Sequence, residues 1–166
     1  MKLRKQACKI MSEDHANALV RPPFLYLGAL GAGCVMALII PLGPGLAGGT
    51  ARPIWIGLGL AVIGFIICWK AFRQFADAGT SVQLDEPTHA IVSEGLYSWS
   101  RNPIYIGLST VYIGLSIALT TGWALLFLPV VFRVLIKGVI EREEAYLTKE
   151  FGDDYLAYKR KVPRWL

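Results

Sequence analysis

The chain has 166 residues, 54% of them hydrophobic and 17% charged, with a net charge of +5 and a mean hydropathy of +0.47. Soluble domains carry about a quarter charged residues, so this balance excludes an ordinary soluble fold and leaves little length for a separate soluble domain beside several membrane spans. Lysine and arginine cluster beside apolar segments rather than on one polar face, which fits anionic lipid headgroups and argues against nucleic acid.

Residues 1–21 are polar, with Lys2, Arg4, Lys5, Lys9 and Arg21 against Glu13 and Asp14. A charge-free run follows to residue 51, and 24–40 is apolar enough to cross a bilayer, which takes about 20 residues. A signal peptide is the competing reading. The polar leader and the apolar core are both long for one, so a retained span is expected. Pro41-Leu-Gly-Pro-Gly45 ends it, and 53–72 forms a second span with Lys70 and Arg73 at its end. Small residues four apart (Ala29 and Gly33, Gly57 and Ala61, Gly114 and Ala118) suit close helix packing. The three cysteines imply no disulfide framework: Cys34 and Cys68 read as apolar fillers, and Cys8 as a juxtamembrane thiol.

Residues 74–100 form the sizeable polar loop, carrying Asp77, Asp85, Glu86, His89 and Glu94. The uncharged run 102–132 is too long for one span, and Thr120-Thr121-Gly122 divides it into a hairpin with spans at about 103–119 and 122–140. Pro129 is placed to kink the last span. That helix is expected to leave the membrane and end at Gly152, and the basic, aromatic tail 155–166 to lie on headgroups. Lysine and arginine put the N-terminus, the 74–100 loop and the C-terminus on one side, the cytoplasmic one.

The expected fold is therefore all-α, one membrane domain over 1–166, an integral helical bundle of about four transmembrane helices. No G-x-G-x-x-G follows a strand, no phosphate-binding Walker motif occurs, and no Cys or His pair has metal spacing. Neither a soluble dinucleotide fold nor a metal site is expected.

Chemistry concentrates where the third span begins. Arg101 is the last charge before the apolar run, and Asn102-Pro103 reads as a helix start, the amide capping free N–H groups and proline fitting the first turn. A helix N-terminus with an adjacent guanidinium is suited to an anionic group. Arg133 lies inside span four, where an ionisable group marks function or a buried partner. At about 100° per residue Arg133, Lys137 and Glu144 share a stripe within roughly 40°, about 16 Å long, with Glu141 beside it and Glu143 further round. Snorkelling and surface pairing explain the same stripe without function. Tyr97, Trp99 and Tyr105 would equally suit an interfacial aromatic belt.

The runs His89-Ala-Ile-Val-Ser-Glu-Gly-Leu-Tyr97, Arg101-Asn-Pro-Ile-Tyr-Ile-Gly107, Glu143-Glu-Ala-Tyr-Leu147, Phe151-Gly-Asp-Asp-Tyr155 and Tyr158 resemble the isoprenylcysteine carboxyl methyltransferase and phospholipid N-methyltransferase superfamily of membrane enzymes. Phe75-Ala-Asp-Ala-Gly-Thr-Ser81 is similar to its bacterial branch, and Asn102 stands where eukaryotic members usually have histidine. The resemblance implies a catalytic region over 75–166 and S-adenosylmethionine as cofactor, bound by a cytoplasmic loop and a C-terminal helix extension. It also implies a lipid or lipidated, amphipathic acceptor and residence in the bacterial inner membrane. It assigns His89, Gly95 and Tyr97 to the loop around the cofactor, Arg101, Asn102 and Tyr105 to its pocket, and Glu143 and Glu144 to its polar end.

The cofactor's carboxylate then needs a cation, Arg101, and its ammonium an anion, Glu143 or Glu144. Arg133, Glu144 and His89 are the expected catalytic groups, with His89 the nearby side chain of suitable unperturbed pKa should the acceptor need deprotonation. Methylation of an isoprenylcysteine-type carboxylate is the first reading; a phospholipid amine or a small thiol is the alternative. From other classes, an NADPH-dependent sterol-reductase-like enzyme and a non-catalytic membrane adaptor remain. The enzyme reading requires Arg101 to lie near Glu143 and Glu144, beside a cavity.

Overall fold

A computed structural model describes residues 21–40, 42, 52–77 and 91–166. His89, Cys8 and the polar leader 1–20 lie outside the described residues. In chain order come α1 (Pro22–Ile39), α2 (Arg52–Asp77), a 3-10 turn (Gly95–Ser98), α3 (Pro103–Ala118), α4 (Gly122–Leu135), a π-helical turn (Ile136–Ile140) and α5 (Glu141–Lys161). No strand occurs among the described residues.

The charge-free runs become helices as expected. Pro22–Ile39, Ile54–Asp77 and the continuous helix from Gly122 are long and apolar enough to cross a membrane. Their outward faces carry Phe24, Leu27, Leu38, Trp55, Ile56, Phe65 and Trp69 in the open, an apolar surface that water would not tolerate and lipid would. The fourth apolar helix, α3, has 16 residues, about 24 Å at 1.5 Å per residue and short for a full crossing. It lies at the centre: no residue from Pro103 to Ala118 is exposed. The chain is an integral membrane bundle of these four apolar helices.

Small residues set the closest contact, between α2 and α3. A Cβ on Gly114 would lie 2.5 Å from the Ala61 backbone nitrogen, and one on Gly64 2.6 Å from that of Val111. Backbones this close gain dispersion contacts that larger side chains would forbid. Replacing Gly114 by valine should lower stability by about 1–3 kcal/mol, read as thermal unfolding in detergent. Gly28→Ala on α1, where nothing lies within 4 Å, should change it little.

On the other side α1 meets α4, with Gly33 against Ala124. The Thr121 hydroxyl donates to the Gly33 carbonyl at 3.0 Å and the Trp123 indole N–H to Ile40 O at 2.7 Å. Core polar groups are paired within the bundle. The Tyr26 hydroxyl meets Ser109 Oγ at 2.7 Å, Ser109 donates to Tyr105 O, and Tyr112 donates to Ala124 O at 2.6 Å. The expected hairpin is present, with Thr120 in the left-handed region (φ 52°) and Thr121 N–H returning to Ser116 O.

Two features past Pro129 differ from the sequence expectation. First, the π-helical turn inserts about one residue into the helical repeat, rotating the residues beyond it by roughly 100°. Arg133 and Lys137 are consequently exposed while Glu144 is buried, so they share no stripe, and Arg133 is no buried guanidinium. Second, the helix is interrupted at Gly152 as expected, but a further helical arm follows directly where the sequence expectation had only a surface tail. The helix breaks there (φ 52°, ψ −122°), resumes and runs to Lys161. A straight helix would separate residues 144 and 159 by about 22 Å, yet Lys159 Nζ stands 3.3 Å from Glu144 Oε2. The chain folds back at Gly152, so α5 is two arms, 141–151 and 153–161, closing toward each other.

Candidate functional site

The charged end of the bundle gathers the 3-10 turn, the corner 100–102, the first turn of α3 and both arms of α5. Gly95 opens the turn with φ +57°, and a Cβ there would overlap the Gln74 side-chain amide of α2, whose Oε1 accepts from Leu96 N–H at 3.1 Å. This fixes Tyr97, which is 5% exposed, against Phe75 with ring centroids 5.0 Å apart. Tyr158 from the second arm donates to Tyr97 O at 2.7 Å.

Asn102 occupies the helix-start position, but its side chain makes no cap. Its Nδ2 donates instead to Arg164 O at 3.0 Å, the carbonyl that also accepts from Ser100 Oγ, while Arg101 N–H donates to Pro163 O. Residues 162–166 are thus strapped to the corner, and Trp165 packs edge-on to Phe132 of α4 at 5.6 Å. Residues 162–165 of the tail pack onto the bundle, while its basic residues Lys159, Arg160 and Lys161 are exposed.

At the centre is Glu144. Its Oε1 accepts from Arg101 Nη1 at 3.0 Å and Arg164 Nε at 2.8 Å, and its Oε2 from Arg164 Nη2 at 2.9 Å and Lys159 Nζ at 3.3 Å. The Arg101 and Glu144 side chains are each 9% exposed. Burial alone would raise the Glu144 carboxyl, but the Arg164 hydrogen bonds and the Arg101 charge overrule it and hold the group below its ordinary value. Glu144 is therefore ionised and saturated, which revises the expectation that it is free to take a ligand's ammonium. Arg101 also donates to the Tyr155 hydroxyl at 3.4 Å.

Glu143 is the contrasting neighbour. The Tyr105 hydroxyl donates to its Oε1 at 2.7 Å. Enclosure by protein pushes its carboxyl up to about 7, the Tyr105 bond opposing and the Glu144 charge reinforcing. An acid whose folded pKa is raised binds more protons folded than unfolded, so its ionisation costs stability as pH rises. Glu143→Gln should match wild type below about pH 4.5, gain on it up to about pH 7 and hold that gain above, measured as unfolding midpoint against pH.

Two buried polar atoms here have no partner among the described residues: the Arg101 Nε–H and the Tyr97 hydroxyl. Burial drives the Tyr97 pKa well up, so that hydroxyl keeps its proton and offers a donor. Unsatisfied buried donors are costly; that of Arg101 sits beside the Glu144 cluster and is what a missing anionic or polar ligand would leave. An open groove of about 470 Å³ borders the cluster, lined by Glu141, Glu144, Ala145, Thr148, Lys149 and Lys159. No group of ligands suited to a metal ion occurs among the described residues.

The structure thus brings Gly95, Tyr97, Arg101, Asn102, Tyr105, Glu143 and Glu144 to one end of the bundle, and sets Arg133 apart on the outer face of α4. Sequence reasoning missed Lys159 and Arg164. Their only forward signal was Gly152, a residue able to reverse the chain.

Fold and site define a helical membrane protein with a buried carboxylate–arginine cluster at one end of its apolar bundle. The chain belongs to the phospholipid methyltransferase family, whose profile matches residues 53–154. It is 37% identical over 79 residues to protein-S-isoprenylcysteine O-methyltransferase of Xenopus laevis, covering 48% of this chain and 27% of that protein. With the Homo sapiens protein of the same name it shares 30% identity over 118 residues, 68% of this chain and 41% of the other. An uncharacterized protein of Haemophilus influenzae is 44% identical over 61 residues, 36% of this chain and 97% of its own. The chain spans well under half the length of these two named methyltransferases. No solved structure matches.

Proposed function

We propose that the chain is an S-adenosylmethionine-dependent methyltransferase of the membrane, acting on an amphipathic acceptor of the isoprenylcysteine carboxylate type. The observation that carries this is the buried, unpartnered Arg101 Nε–H beside a carboxylate ringed by three cations, with a second unpartnered donor, Tyr97 Oη–H, buried on the adjoining 3-10 turn. Both residues fall within the 53–154 family match, and the names of the relatives supply the acceptor class.

The residues fit the cofactor. Arg101 would bind its carboxylate, with Glu144 holding the guanidinium in place. Glu143, hydrogen-bonded on one oxygen by Tyr105, would take the ammonium, and the 3-10 turn with Gly95 and Tyr97 would close around the remainder. When bound, the group supplies an electrophilic methyl on a sulfonium. The chain's own residues align the acceptor and exclude water. A carboxylate acceptor needs no base. For an amine or thiol, His89, or Glu143 with its carboxyl near neutrality, would accept the proton. Arg133, exposed on the outer face of α4, would meet an acidic group on an acceptor arriving through lipid; Lys137, on the π-helical turn, is already paired with Glu141 at 2.9 Å. The lysine and arginine distribution supports a cytoplasmic location for this end, and the resemblance to the bacterial branch supports a bacterial inner membrane.

The family's description favours one second reading, an amino-headgroup phospholipid as acceptor. Detergent-purified protein, given methyl-labelled S-adenosylmethionine with either a farnesylated cysteine derivative or phosphatidylethanolamine, should label the first. Arg101→Lys keeps the charge but loses the fork, and should weaken S-adenosylhomocysteine binding about tenfold or more. Stabilisation by NADPH and not by S-adenosylhomocysteine would overturn the proposal.

A further inference from the structure

Arg101 and Arg164 compete for one carboxylate. Arg164 reaches both Glu144 oxygens, Nε to Oε1 at 2.8 Å and Nη2 to Oε2 at 2.9 Å, a bidentate fork that is the strongest form of this contact. Arg101 is left one bond to the carboxylate, Nη1 to Oε1 at 3.0 Å, and its buried Nε–H has no partner among the described residues. The order is unexpected on burial alone. The Arg101 side chain is 9% exposed and that of Arg164 32%, so the deeper cation has the greater need of the carboxylate yet holds less of it.

We propose that Arg164 is a positioning residue: by occupying both oxygens of Glu144, it keeps the Arg101 fork from closing on that carboxylate and leaves a guanidinium edge free for an anionic ligand. This rests on the cofactor reading above, in which that anion is the carboxylate of the methionine end. The placement of Arg164 is built, not incidental. Its backbone carbonyl accepts from Ser100 Oγ at 3.1 Å and Asn102 Nδ2 at 3.0 Å, on either side of Arg101, and Arg101 N–H is held by Pro163 O. Trp165 anchors the strap on Phe132. The fold-back at Gly152 delivers Lys159 to the same carboxylate, which adds a second competitor. With three cations on one carboxylate, the cluster keeps positive charge to spare for a second anion. Arg164 lies beyond the 53–154 family match, so the strap adds to what the matched segment contains.

The test compares two ligands that differ in the anion. S-adenosylhomocysteine carries the amino-acid end; methylthioadenosine lacks it. In titration calorimetry on the purified full chain, Arg164→Gln should weaken S-adenosylhomocysteine binding about tenfold or more while changing methylthioadenosine binding less than about twofold. Arg164→Lys, one point charge in place of a fork, should recover part of the loss. It carries the same comparison should the glutamine variant fail to fold. Unchanged S-adenosylhomocysteine affinity, or an equal loss for both ligands, would overturn the role given to Arg164 while leaving the cofactor reading intact. A wild-type chain that binds neither ligand would overturn the cofactor reading itself.

Discussion

Truncating Glu144 to alanine should lower folding stability by about 3–5 kcal/mol, the usual consequence of leaving the partner of a buried ion pair uncompensated. The partner that matters is Arg101, because both side chains of that pair are 9% exposed. Lys159, at 40%, is screened by solvent and contributes under about 1 kcal/mol; Arg164 is intermediate. Lys159→Ala should therefore be mild where Glu144→Ala is severe. The loss should also appear as weakened S-adenosylhomocysteine binding, since Arg101 loses the group that orients it. Reversible unfolding in detergent measures the first effect. A change under about 1 kcal/mol would mean that the cluster is not the organising contact of this end.

Replacing Gly152 by alanine is the second large effect. Its backbone (φ 52°, ψ −122°) lies in a region that side chains enter only with strain, and a Cβ there would meet nothing within 4 Å. Conformation alone is therefore at stake, at about 1–3 kcal/mol. Straightening at residue 152 would relieve that strain, and this is the expected response of the variant. Straightening carries the second arm and strap away from Glu144, which removes the Lys159 and Arg164 bonds, the Tyr155 hydroxyl from Arg101 and the Tyr158 hydroxyl from Tyr97. The expected outcome is near-complete loss of ligand binding with the membrane helices still folded, visible as retained helical circular dichroism and a protease-sensitive C-terminus. Intact binding in Gly152→Ala would show that the second arm plays no part in the site.

How much of this was legible in the sequence differs by kind of feature. The helices were, because an uncharged run of bilayer length has few alternatives; the small residues four apart marked faces suited to close packing, but not that α2 and α3 would be the pair. Membership of the cluster was legible for Arg101, Glu143 and Glu144, through resemblance rather than through spacing. The orientation of the last helix was not. A shared stripe for Arg133 and Glu144 assumes about 100° per residue throughout, and the π-helical turn at Ile136–Ile140 has no composition that announces it. The reversal at Gly152 was half legible: glycine signalled a break, but only the ion pair formed afterwards fixes the direction taken. Asn102 shows the same limit, since a residue suited to capping was drawn instead to the Arg164 carbonyl, a partner 62 positions away.

The proposed function stands on the reading of the buried, unpartnered donors at this end of the bundle as ligand contacts. Titrating S-adenosylhomocysteine into wild type and Tyr97→Phe side by side tests it most directly, because the Tyr97 hydroxyl has no partner among the described residues to lose. The phenylalanine variant should keep full thermal stability in the absence of ligand and bind about tenfold more weakly. Equal affinity in the two proteins would contradict the account.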